Sequence, residues 1–156
     1  MDRDPMLMRL DACYQAMPPV AAMRMRIAAY DGARLRLHAP LACHVNDKGC
    51  AFGGSLSSLM TLASWGLVTL RLEEAGLHAE VYVADSAVSF RAPVFSDLEA
   101  EAQLAEDASW DAFTRQLRDD GRARTLLNAC VRLPGGGAAA TCKARYVAIA
   151  KRYDAG

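Results

Sequence analysis

At 156 residues with 53% hydrophobic content, the chain is long enough to bury one real core and too apolar to be disordered. Its 18 basic residues balance 18 acidic ones, which argues against a nucleic-acid partner while leaving room for a local basic patch facing an acidic carrier protein. The cysteines, Cys13, Cys43, Cys50, Cys130 and Cys142, are odd in number and contain no Cys-x-x-Cys pair, so neither a disulfide framework nor a zinc site is expected and they read as cytoplasmic thiols.

Met1 to Asp4 lead into a mixed polar helix without an apolar signal core, so export is not expected. Met6, Leu10, Cys13, Tyr14 and Met17 recur at helical spacing until Pro18-Pro19 stops the helix. Residues 1–19 are therefore read as an N-terminal helix packing on a domain of residues 20–156. Met23, Met25, Ile27 and Ala29 alternate with Arg24, Arg26 and Ala28, and Leu35 and Leu37 alternate with Arg34, Arg36 and His38. Asp31-Gly32 between the two runs predicts a hairpin.

Next comes the loop Asn46-Asp47-Lys48-Gly49-Cys50-Ala51-Phe52-Gly53-Gly54-Ser55, leading into a segment without charge as far as Leu70. Ala51 to Leu70 has the ~20-residue length of a bilayer span. Its glycines and hydroxyls, and the strand-like stretches after it, instead predict a helix from near Ser55 to Ala75-Gly76, buried on nearly all sides within a sheet. No membrane partner is expected. Ala79 to Ala92 reads as a strand interrupted by Pro93 at an edge, and Leu98 to Leu104 as a strand with one wet face. Trp110, Phe113 and Leu117 predict a short amphipathic helix ended by Asp119-Asp120-Gly121. Two strands follow, Arg122 to Leu133 and Ala138 to Ala150, turning at Pro134-Gly135-Gly136-Gly137. With no repeat and no linker, the chain reads as one α+β domain.

The chemistry points to the loop before the long helix. A helix start presents unpaired backbone N–H groups and the positive end of its dipole, and glycines let a ligand approach that backbone closely. Such a place suits a thioester carbonyl oxygen, which becomes negative during reaction. Gly53-Gly54 lacks the Gly-Lys-Ser/Thr ending of a nucleotide-binding loop, and no nucleophile-elbow motif supports a Ser-His-Asp triad. Ser57, Ser58 and Ser64 read as hydroxyls bonding within a buried helix, and Trp65 as core.

Taken together, the hairpin, Asn46-Asp47-Lys48-Gly49, Phe52-Gly53-Gly54-Ser55, Trp65-Gly66 and Arg91-Ala92-Pro93-Val94 resemble the hotdog thioesterase superfamily. The resemblance, from about Val20 onward, is to the thioesterase type also found as a C-terminal domain fused to an acetyltransferase. It implies an antiparallel sheet wrapped around the long helix and a homodimer or dimer of dimers. It also implies acyl thioesters of coenzyme A or acyl carrier protein as substrates. No metal or redox cofactor is implied, with coenzyme A or phosphopantetheine entering only as part of the substrate. In the branch with an Asn-(five residues)-His-Gly-Gly loop, the asparagine side chain and the first glycine N–H polarise the carbonyl. An acid seven residues beyond the second glycine acts as base or nucleophile from the other subunit. Asn46 and Gly53 match the first pair, whereas Phe52 replaces the histidine and Thr61 the acid.

A threonine hydroxyl without a base supplies neither an activated water nor a ready nucleophile. Three readings follow: another base serves hydrolysis, the reaction needs none, or the site only binds. Candidate bases are His44, two residues before Asn46, which could equally be a solvent-facing loop histidine, and Asp85 on the strand after the helix; Asp47 reads better as a turn former. Substrate contacts are expected from Asp47, Lys48, Phe52, Gly54, Ser55 and Thr61, with Lys48 able to steer an anion. The base-free reading is decarboxylation of a malonyl thioester, which requires only that the enolate be stabilised and the carboxylate desolvated. Relatives resembling this family have been linked to that reaction on malonyl-carrier-protein, at the initiation of fatty acid synthesis.

Overall fold

The computed structural model describes residues 4–151. Helix α1, Pro5–Ala16, opens with Asp4 Oδ1 accepting the Met6 N–H at 2.9 Å. The two prolines that end it also start a second short helix, α2, Pro18–Ala21, because proline's fixed φ suits a first helical position. This shortens the expected first strand: residues 22–24 form a turn in which Arg24 is left-handed at φ 51°, and β1 runs only over Arg26–Tyr30. Asp31 Oδ1 holds the next turn by accepting the N–H groups of Ala33 and Arg34, at 2.9 and 2.7 Å, before β2, Arg34–Ala39.

The long helix α3 spans Gly53–Glu74, two residues longer at its start than expected. Its remaining boundary signals hold, with Gly76 left-handed at φ +70° just beyond the C-cap. Strand β3 covers Ala79–Phe90 and β4 Leu98–Leu104, then α4, Trp110–Asp120, ends at Gly121, φ +71°. Strands β5, Arg122–Arg132, and β6, Ala138–Ala150, complete the chain.

All six strands pair antiparallel in the order β1-β2-β4-β5-β6-β3. Helix α3 carries the chain from one side of this sheet to its opposite edge, so the sheet wraps the helix. Leu35, Leu37, Leu98, Ala100, Leu127 and Val131 pack inward from the strands against Leu59, Met60, Ala63, Leu67 and Leu70 of α3. Many of the inward positions on β4, β5 and β6 are alanine, which lets the strands approach the helix. Leu10 and Tyr14 of α1 join the same core.

A serine- and threonine-rich helix can be buried here because its hydroxyls bond back to it. Ser57 donates to the Gly54 carbonyl, and Thr61 and Thr69 donate to the carbonyls four residues earlier, both at 2.9 Å. From outside the helix, Tyr14 and Tyr146 donate their hydroxyls to the Leu62 and Thr61 carbonyls, at 2.7 and 3.1 Å. Burial pushes both phenols up, keeping them neutral donors. Trp65 stacks at a tilt on Tyr14 and donates Nε1–H to the Val81 carbonyl at 2.9 Å. No helix among the described residues is long and apolar enough to cross a membrane.

Candidate active site

The loop expected to hold substrate is a small hairpin. Val45 bridges Ala51, Asn46 N–H donates to the Cys50 carbonyl at 2.8 Å, and Phe52 N–H donates to the His44 carbonyl at 2.7 Å. Asn46 also ties the loop with its side chain. Its Oδ1 accepts the N–H groups of Lys48 and Cys50, at 2.8 and 3.2 Å, while one Nδ2–H points at Cys50 Sγ, 3.3 Å away. The second N–H of this carboxamide has no protein acceptor among the described residues, and Asn46 does not line the groove at the start of α3. Ala51 N–H, donating to the Val94 carbonyl at 2.8 Å, anchors the loop to the segment after β3.

Phe52 is the N-cap of α3 and its carbonyl accepts from Ser55 and Leu56, so the preceding N–H groups, those of Gly53 and Gly54, have no intrahelical acceptor. A Cβ on Gly54 would lie 2.5 Å from the Phe52 ring, which makes glycine obligatory while Phe52 covers it. The first turns of α3 border a groove of about 600 Å³ lined by Phe52, Gly54, Ser55, Ser58, Thr61 and Ser86, among others.

His44 is buried, at 5% exposure, which rules out a solvent-facing loop histidine. Its Nε2 lies 2.8 Å from the Met23 carbonyl and its Nδ1 lies 2.8 Å from Ser55 Oγ. A carbonyl only accepts, so in the neutral ring Nε2 carries the proton, and Nδ1 accepts the hydroxyl proton of Ser55.

Sequence-expected residues separate accordingly. Phe52, Gly54, Ser55 and Thr61 meet at the groove, with Gly53 immediately before it in the helix. Asp85 does not join them: it sits on the outer face of β3, 3.6 Å from Arg145, while its neighbour Ser86 lines the groove. Asp47 and Lys48 pair with each other at 2.9 Å on the exposed loop tip. Sequence reasoning missed Ser86 as a groove residue, which lies just past a register shift between Val83 and Asp85, and it missed the Met23 carbonyl, a backbone atom with no residue-type signal.

A buried central helix crossed by a wrapping antiparallel sheet, with a glycine helix start beside a hydroxyl-lined groove, defines the hotdog architecture of thioesterases. The sequence model of the family described as "Putative thioesterase (yiiD_Cterm)" matches residues 9–150, and the chain belongs to that family. The match starts upstream of Val20, so α1 shares in the likeness. Among solved structures, a Chlorobaculum tepidum protein of unknown function is 26% identical, with TM-score 0.86, covering 92% of this chain and 94% of its own. A "putative thioesterase" from Shewanella oneidensis is also 26% identical, with TM-score 0.83, covering 94% of this chain and 99% of its own. A Pseudomonas aeruginosa protein at 20% identity and TM-score 0.80, covering 95% of this chain and 97% of its own, shares the fold.

Proposed function

We propose that the protein hydrolyses acyl thioesters of coenzyme A or acyl carrier protein. The thioester carbonyl is held by the Gly53 N–H and the free N–H of the Asn46 carboxamide. The observation that carries this reading is the pair of unbonded glycine N–H groups beside a groove of about 600 Å³ in a member of a thioesterase family. That volume suits a small-molecule site, typically about 300–1,000 Å³. Fixed donors and the helix dipole stabilise the oxyanion that forms when the carbonyl is attacked. A homodimer belongs to the same reading, with the second subunit completing the groove.

A second reading, decarboxylation of a malonyl thioester, is favoured by one observation. The polar side chains lining the groove are the hydroxyls of Ser55, Ser57, Ser58, Thr61 and Ser86, with no carboxylate among them. Such a lining lacks a carboxylate base for water but does not repel the substrate's own carboxylate.

A panel of acyl and malonyl thioesters, on coenzyme A and on carrier protein, separates the readings by product: free acid and thiol, or carbon dioxide and acetyl thioester. Thr61→Asp sharpens the test. A carboxylate in the groove is expected to raise hydrolysis and weaken decarboxylation through repulsion. An unchanged product ratio in the folded variant would place Thr61 outside the reacting centre. Failure to turn over any thioester would leave a binding protein.

A further inference from the structure

We propose that Ser55 is a covalent nucleophile with His44 as its base, so that the acyl group passes from sulfur to Ser55 Oγ before it reaches water. The proposal rests on the thioester reading of the groove and adds to it the missing catalytic half.

Three observations carry it. First, Ser55 Oγ and His44 Nδ1 are 2.8 Å apart, within the range of about 2.6–3.2 Å expected of a nucleophile and its base. Second, the base is itself oriented: the Met23 carbonyl accepts the Nε2 proton at 2.8 Å, which leaves the Nδ1 lone pair facing the hydroxyl. Third, the two groups are divided correctly between solvent and interior. Ser55 lines the groove, whereas His44 is buried behind it with Nδ1 turned toward the serine hydroxyl. Neighbouring hydroxyls differ in this respect, since Ser57 and Thr61 direct their protons at helix carbonyls, which are not bases at neutral pH.

The chemistry balances without a co-reactant other than water. Ser55 Oγ forms a bond to the thioester carbon as its proton passes to His44 Nδ1. The tetrahedral oxyanion collapses, the carbon–sulfur bond breaks, and the Nδ1 proton leaves with the thiolate as thiol. Water then attacks the ester on Ser55, giving one proton to Nδ1. That proton returns to Oγ as the acid departs.

A fluorophosphonate tests the nucleophile independently of thioester turnover. Intact mass measurement of the folded protein is expected to show a single adduct, mapped to Ser55 by peptide analysis and absent from Ser55→Ala. His44→Asn, which keeps an acceptor near Nδ1 but no base, is expected to slow labelling by at least about 100-fold. Rapid quenching with an acyl-CoA substrate is expected to trap the acyl group on Ser55. Wild-type protein that hydrolyses thioesters yet carries neither adduct, or a Ser55→Ala variant hydrolysing at the parental rate, overturns the proposal and leaves the thioester reading standing. Phosphonylation of Ser55 in protein that turns over no thioester supports the nucleophile and overturns the substrate assignment.

Discussion

Asn46 knots its own loop through Oδ1, and in the proposed reading its carboxamide also offers one N–H to substrate. Asn46→Ala is expected to lower turnover by roughly 100- to 1,000-fold, the scale of losing one oxyanion donor. Part of that loss would come from loosening residues 46–50. Asn46→Asp isolates the donor, since a carboxylate still accepts from Lys48 and Cys50 but donates nothing. Steady-state kinetics of the aspartate variant should show the same collapse with an unchanged melting temperature, and full activity would remove Asn46 from the oxyanion site. Asn46 and Gly53 could be proposed from the sequence as a pair because they lie seven residues apart in one loop. His44 was named from its residue type and position, and its setting could not be read because its partners lie 11 and 21 residues away and one of them is a backbone oxygen.

Contacts between elements depend on single small residues and single charges. Helix α1 crosses α3 at Gly66, where a Cβ would fall 2.0 Å from the Tyr14 hydroxyl and 2.8 Å from Leu35 Cδ2. Gly66→Ala should therefore destabilise the fold by about 1–3 kcal/mol, the usual cost of overpacking, and lower the midpoint of denaturant unfolding. On the outer face of β4, Glu101 sits between Arg36 at 2.8 Å and Arg132 at 2.9 Å. Burial tends to raise its carboxyl, but the hydrogen bonds and charges of these arginines prevail and hold it below the ordinary carboxylate range. Its contribution to stability is thus present above the unfolded-state value, about pH 4, and fades as acid protonates the folded state. Thermal melts should show Glu101→Gln furthest below the parent at neutral pH, with the gap closing in acid. A gap independent of pH would rule this out. Alternation along β4 was readable, yet it cast Glu101 as a wet residue. The enclosing arginines come from β2 and β5, and only strand register brings them together. The helix start was placed two residues late for a related reason, since glycine's poor helix propensity masks a first turn that exists for its open N–H groups.

As a whole molecule, the protein ends its sheet on β3, a 12-residue edge strand that exposes Tyr82 and Val83 and finishes at an exposed Phe90. An edge this long and apolar invites pairing with another copy. Light scattering is expected to give a dimer, twice 16.8 kDa, or a multiple of it, and Val83→Lys should shift it toward monomer. A stable monomer at micromolar concentration would count heavily against this assembly. The order of strands and helices was legible because each long element carries its own periodicity; α2 was hidden because two prolines that halt one helix also begin another. That short helix leads into the turn whose Met23 carbonyl fixes the tautomer of His44, and Pro19 and Val20 line the same groove. If His44 acts on Ser55 as proposed, the turn after α2 bears on the chemistry: loss of the Met23 carbonyl contact would free Nε2 and let the ring exchange its proton between nitrogens. Sequence drift in residues 17–24 would then change how the imidazole is held while every residue of the glycine loop stayed the same.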